Sequence, residues 1–190
     1  MKAESPHTTH VSVVDKDGLA VAMTITINVP FGSGLVVPGT GVLLNDEMDD
    51  FYLAGPNSFG LVGNERNAPA PGKRPLSSMS PTFVFDDHGL LLVLGSPGGS
   101  SIPSAVAWVI RGIVEEGRSA EAAVRAPRIH HQWIPDVLEV EPGFERAKLP
   151  QMKMKQPMFP VGRVQLLVND RDGWRGVSDC RDEGAPWSGR

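Results

Sequence analysis

A chain of 190 residues with 41% hydrophobic and 21% charged side chains has a globular composition, long enough for one sizeable domain or for half of a larger one. A formal charge of −4, with the Lys and Arg residues spread along the chain and only Lys73-Arg74 adjacent, leaves no basic excess for a phosphate backbone and argues against nucleic acid as a partner class. No apolar run approaches the roughly 18 residues of a membrane-spanning helix, and the single cysteine, Cys180, rules out an intrachain disulfide.

The first residues, MKAESPH, hold no apolar stretch and cannot be a secretory signal, so the compartment stays open. From Thr9 to Asp15 and from Leu19 to Asn28, β-branched and apolar residues alternate with small or polar ones, and Lys16-Asp17-Gly18 between them is a turn signal, which predicts a hairpin. Phe31 to Gly41, with four glycines and a proline, is a loop. Tyr52 to Pro75, rich in Gly, Pro and Asn, is a long irregular segment of the kind that usually carries function or is disordered. Strands are predicted at Thr82 to Phe85 and Leu90 to Leu94, the second apolar throughout and therefore covered on both faces.

After the glycines at 95, 98 and 99, Ser101 is a candidate N-cap for a helix whose apolar residues recur at Ile102, Ala105, Val106, Val109, Ile110 and Ile113. Ser119 caps a shorter helix that stops before Pro127. Later strands are expected at Val137 to Glu141, Val164 to Asn169 and Trp174 to Val177. Strands on each side of a helical pair make an α+β layered fold.

Three groups of residues carry candidate chemistry. Thr8 and Thr9 open the first strand. A threonine hydroxyl is a weak nucleophile until a base takes its proton, and the threonine's own α-amino group serves if the chain is cut just before it; strand propensity alone also places threonines there. Gly95-Ser96-Pro97-Gly98-Gly99-Ser100, between a strand and a helix, offers backbone N–H groups for the oxyanion of an acyl transfer, or is a strand-to-helix turn with glycine chosen for space. It lacks the Lys-Ser/Thr of a phosphate loop. Asn28, Glu47 and the pair Asp49-Asp50 suit an ammonium, and Ser77 and Ser78 a carboxylate, although acidic pairs are commonly solvated turns. His130 and His131, adjacent on an extended segment, point to opposite faces without a third ligand at suitable spacing, so no metal site is expected.

Taken together and in this order, TTHVSVVDKDG, NDEMDDF, KRPLSSMSPT, GSPGGS and APRIHHQW closely resemble the small subunit of γ-glutamyltransferase (γ-glutamyltranspeptidase), over Thr8 to about Asp179. The resemblance implies an αββα sandwich of the N-terminal nucleophile hydrolase type, of which this chain is the small-subunit half, and a precursor that cuts itself into two subunits. It implies a leader, 1–7, ahead of a catalytic domain, 8–190. Thr8 would be the nucleophile, Thr26 the hydroxyl supporting it, and Gly98 and Gly99 the oxyanion hole. Asn28, Glu47 and Asp50 would bind the α-amino group of the γ-glutamyl moiety, and Ser77 and Ser78 its α-carboxylate. The resemblance implies no cofactor, a donor such as glutathione, and a large-subunit partner that supplies an arginine for the glutamyl carboxylate. Phe59 stands where some members have a tyrosine, in a loop that covers the pocket. A related acylase, or a subunit without catalysis, is the alternative.

Overall fold

The computed structural model of the protein describes residues 8–145, 147, 149 and 151–181; the leader expected at 1–7 lies outside them. Strands β1 (Thr8–Val14) and β2 (Ala20–Thr26) form the predicted hairpin, in register from Thr8 opposite Thr26 to Val14 opposite Ala20. Its turn is fixed by Asp15, whose carboxylate accepts the backbone N–H of Asp17 at 2.8 Å and of Leu19 at 2.9 Å, with Gly18 at φ 87° closing the reversal.

Strand alternation sorts the hairpin into two unlike faces. Thr8, His10, Thr24 and Thr26 point toward the next layer, whereas Val11, Val13, Val21, Met23 and Ile25 point outward and are 42–51% exposed. The polarity is inverted relative to a sheet that meets water on its outer side.

Four strands, β3 (Thr82–Asp86), β4 (Gly89–Gly95), β8 (Gln165–Asn169) and β9 (Trp174–Ser178), make an antiparallel sheet in the order β3-β4-β8-β9. As its sequence predicts, β4 is buried on both faces: Leu92 and Leu94 join the helical core, while Val93, fully buried outside that cluster, alternates to the side where the hairpin packs. Helices α1 (Ile102–Val114) and α2 (Ala120–Arg125) cover the other face through Ile102, Ala105, Val106, Val109, Ala123 and Val124. The layers run helices, sheet, hairpin, which is three of the four in an αββα sandwich; the fold is α+β, of the N-terminal nucleophile hydrolase type.

Ser119 caps α2 as expected, accepting the N–H of Ala122 at 3.2 Å. Ser101 does not cap α1. A 3-10 turn, Gly99–Ser101, feeds directly into the helix, which puts Ser101 in helical dihedrals, and its hydroxyl donates to the carbonyl of Gly98 at 2.9 Å instead. Two short strands escaped the sequence pattern: β5 (Ile129–His130) and β7 (Met154–Lys155) flank β6 (Leu138–Val140) in a small mixed sheet. At two residues each, they are too short to show alternation.

A buried ionic cluster ties the last strand to the helices and the small sheet. Arg128, fully buried, reaches Asp179 at 2.8 Å, the carbonyl of Val124 at 2.6 Å and that of Val161 at 2.9 Å. Glu141 accepts the backbone N–H of Arg128 at 2.9 Å and of Val161 at 3.0 Å, and Arg181 bridges Glu141 and Asp179. Among the described residues, no helix is long and apolar enough to cross a membrane.

Candidate active site

The hairpin's inward face, the acidic turn after it and the glycine turn after β4 converge on a cavity of about 270 Å³. Thr8, Thr26, Asn28, Asp50, Ser77, Ser78 and Gly99 all line it. The register that sets Thr8 opposite Thr26 lets the Thr8 hydroxyl donate to Thr26 Oγ1 at 3.0 Å, and Thr26 Oγ1 also accepts the backbone N–H of Asn28 at 2.8 Å. The Thr8 side chain is thereby oriented by a group that is itself fixed.

His10, buried one step inward, sits between Thr24 Oγ1 at 2.7 Å and Ser12 Oγ at 3.0 Å, and burial pulls its pKa down to about 4, so the ring is neutral at physiological pH. Its ring occupies the space above Gly95, where a Cβ would lie 2.3 Å from Nδ1. That glycine is there to admit the histidine.

Asn28 takes φ 74° and is 1% exposed. Its Nδ2 donates to the carbonyl of Asp46 at 2.8 Å and to Asp49 at 3.4 Å, which leaves Oδ1 buried and without a partner among the described residues. A 3-10 turn, Glu47–Asp50, brings Glu47 and Asp50 together; burial first, and then the charge of Asp50 and Asp46 on Glu47 and of Asp49 on Asp50, raise both carboxyls above their ordinary range. Glu47 does not itself line the cavity, but adjoins it through Asp50, and its Oε1 is also buried without a partner among the described residues. Two carboxyls and an amide oxygen held this close are under-compensated, and a cation between them would relieve the repulsion.

Asn57, unremarked in the sequence, donates to Asp50 Oδ1 at 3.1 Å, and its own Oδ1 accepts the N–H of Phe59 at 3.0 Å and of Leu61 at 2.9 Å. Asn67 donates to the carbonyl of Asp50 at 2.7 Å. The long irregular segment thus folds around its asparagines, and the signal available in the sequence was the Asn-rich composition itself.

At the far side the glycine turn is dictated by space as well as dihedrals. Gly99, at φ 55°, would put a Cβ 2.6 Å from the ring of Phe59, and Gly98, at φ 145°, one 2.9 Å from Gly162 Cα. Gly98 lines a second cavity, of about 540 Å³, rather than the first; Asn28 and Phe59 line both. His130 hydrogen-bonds Ser104 at 2.9 Å, and His131 contacts Asp136 at 3.0 Å, so the two rings go separate ways as alternation requires.

A strand-borne threonine facing a glycine turn across a sandwich of two sheets is the arrangement of the N-terminal nucleophile hydrolases. Within that class the chain belongs to the gamma-glutamyltranspeptidase family, whose model matches residues 1–188. It is 54% identical over 191 residues to a glutathione hydrolase proenzyme of Pseudomonas aeruginosa and 47% identical over 188 residues to that of Escherichia coli, each match covering 94% of this chain. The chain spans about a third of the length of these relatives, 34% and 32% respectively. Its structure superposes on the gamma-glutamyltranspeptidase of Pseudomonas nitroreducens, solved in complex with L-DON, with a TM-score of 0.88 and 40% identity, covering 96% of this chain and all of that one.

Proposed function

We propose that the protein is the catalytic half of a γ-glutamyl transferase and hydrolase, with Thr8 as its nucleophile. The observation that carries the reading is the single cavity that holds the Thr8 hydroxyl, its supporting Thr26, the carboxyl of Asp50, the amide of Asn28, the Ser77-Ser78 pair and Gly99. An amino acid has an ammonium and a carboxylate on one carbon. The site offers acidic and amide oxygens for the first, Asn28, Glu47 and Asp50, and hydroxyls for the second, Ser77 and Ser78.

The chemistry requires Thr8 to be the first residue of its chain, so the His7–Thr8 peptide bond has to break. Thr8 Oγ1 then attacks the γ-carbonyl carbon while its proton passes to the free α-amine of Thr8. The N–H groups of Gly98 and Gly99 receive the oxyanion, whose collapse breaks the amide and expels the amine, which takes the proton. The γ-glutamyl ester on Thr8 passes next to water or to another amine. Glutathione is the donor class, and no cofactor enters.

No lysine or arginine lines the first cavity among the described residues. The hydroxyls of Ser77 and Ser78 therefore need a cation from elsewhere to balance a carboxylate, and a large subunit is the proposed source. The same partner would cover the outward apolar face of the hairpin and complete the fourth layer of the sandwich. A related acylase of the same fold, acting on side chains without an ammonium, has no use for the Glu47-Asp50 pair.

The test is co-expression with the large subunit, followed by intact mass and N-terminal sequencing. The expected result is a chain starting at Thr8 without added protease, hydrolysis of γ-glutamyl-p-nitroanilide, and an uncut, inactive Thr8→Ala variant. Normal cleavage in that variant removes Thr8 from the mechanism.

A further inference from the structure

The two N–H groups that would receive the oxyanion sit on glycines, which at φ 145° and 55° supply no restraint of their own. Something else has to aim them. The N–H of Gly98 shares a planar peptide with the carbonyl of Pro97, and the N–H of Gly99 shares one with the carbonyl of Gly98. In a trans peptide the two bonds point in opposite directions, so whatever holds the carbonyl also aims the N–H.

Each carbonyl is held by a serine. Ser96, fully buried, donates its hydroxyl to the Pro97 carbonyl at 2.6 Å and accepts the backbone N–H of Arg163 at 2.7 Å; that N–H also reaches the Pro97 carbonyl at 3.3 Å. Ser101 holds the next carbonyl twice, its hydroxyl donating to Gly98 at 2.9 Å and its backbone N–H at 3.2 Å. The segment beneath has no slack: a Cβ on Gly162 would lie 2.3 Å from Ala105 Cβ and 2.7 Å from Ser96 Oγ. Both carbonyls are thus engaged by the protein. The two N–H groups, which open a helical run and so have no acceptor within it, face the other way.

We infer that Ser96 and Ser101 are positioning residues for the transition state of acyl transfer, each aiming one N–H of the glycine turn at the oxyanion. The inference rests on the γ-glutamyl reading and deepens it. When Thr8 Oγ1 adds to the γ-carbonyl carbon, the π pair of the carbonyl moves to its oxygen, and the charge lasts until the amide bond breaks. Donors already aimed at that oxygen need no reorganisation as the charge develops. Without the serines, two glycine peptides would be free to turn their N–H groups toward water. Ser96 lines neither cavity, so it cannot touch the substrate, and any effect it has on the reaction passes through the turn. Ser101 lines only the second.

The experiment uses the assembled, matured protein and reads hydrolysis of γ-glutamyl-p-nitroanilide beside inhibition by the boronic acid analogue of glutamate, in which B(OH)2 replaces the γ-carboxyl. Thr8 Oγ1 adds its lone pair to boron, its proton passes to the α-amine of Thr8, and the tetrahedral boronate presents an oxygen where the oxyanion would form. Ser96→Ala is expected to lower kcat about tenfold at little cost in KM, and to weaken the boronate by a similar factor. The effect stays below the roughly hundred- to thousandfold of a lost donor, because the Arg163 N–H still reaches the Pro97 carbonyl and the turn loosens without losing an N–H. Ser101→Ala, whose backbone N–H keeps its hold on Gly98, should show a smaller parallel change. Ser96→Cys, which retains a weak donor, should fall between wild type and Ser96→Ala, and serves with Ser101→Ala if Ser96→Ala does not mature. An unchanged kcat in the serine variants overturns the inference. So does a fall in kcat with boronate affinity unchanged, which is what a smaller fraction of folded enzyme produces. Absence of anilide hydrolysis by wild-type protein is a different failure: it sinks the γ-glutamyl reading, and the role of the serines with it.

Discussion

Two clusters of charge in this chain are built on opposite terms. Around Arg128, Asp179, Glu141 and Arg181, cations and carboxylates alternate, Arg128 and Asp179 have fully buried side chains, and backbone N–H and carbonyl groups take up most of the remaining valences. Around Glu47, Asp50 and Asn28, acid lies beside acid, one amide oxygen and one carboxyl oxygen are buried without partners, and no cation closes the ring among the described residues. The first arrangement balances its charges within the chain, with Arg128 Nε left buried without a partner among the described residues, and its role is structural. The second is incomplete in a particular way, short of one positive charge, and an incomplete site is what a ligand binds.

The difference yields an ordered set of outcomes. Breaking the complete cluster should have the largest effect, and it should be on stability. Asp179→Ala strands the Arg128 guanidinium, whose buried charge then lacks its partner, and removes the acceptor for the N–H of Val164 at 3.0 Å. Denaturant unfolding of the assembled protein should show a loss of about 3–5 kcal/mol. A loss below about 1 kcal/mol, the range of surface pairs, would mean that the cluster is solvated and the contrast with the pocket is wrong.

His10 lies between the two cases, a buried titratable group satisfied by hydroxyls rather than by charge. Its folded pKa of about 4 is depressed below the ordinary 6.5, so between those values the unfolded chain binds the proton and the folded one does not. Its contribution is therefore fully present above pH 6.5 and is lost as pH falls toward 4, by about 3 kcal/mol in all if the full shift applies. Unfolding measured across that range should have a steeper pH slope in wild-type protein than in His10→Gln. Equal slopes would place the histidine in contact with water.

These clusters also show what the sequence could reveal. Hairpin, β4 and both helices were legible because alternation and helical spacing are local, and the serine, threonine and glycine motifs fell where such elements start and end. Arg128 and Arg181 were not, since nothing in the residues around either shows that they meet Asp179 and Glu141 in the interior; a buried cation looks like a surface one until its partners are placed. Asn57 and Asn67 were visible only as loop composition, although their side chains shape the acidic turn. Ser101 was misassigned because a cap is judged from the first helical residue, and here a 3-10 turn starts the helix early.

The smallest of the three effects belongs to the incomplete cluster and should leave stability nearly untouched. Asp50→Ala removes a carboxyl that is raised by burial and by Asp49, so in the empty site it takes away repulsion as well as a hydrogen bond from Asn57. What it removes on ligand binding is a charge-assisted bond to an ammonium, about 1.5–3 kcal/mol, or roughly ten- to a hundredfold in kcat/KM for a γ-glutamyl donor. A glutaryl analogue, which has no ammonium, should lose much less. The pH profile sharpens the point. A raised carboxyl favours the empty protein below its pKa and costs it stability as pH rises through that pKa, the reverse of His10. Donor binding needs the ionised form, so wild-type kcat/KM should fall on acidification at a pH above the ordinary aspartate range, and that limb should move when Asp50 or Glu47 is replaced by its amide. Equal losses on the γ-glutamyl and glutaryl substrates, with no movement of the limb, would show that Asp50 supports the fold and not the ammonium.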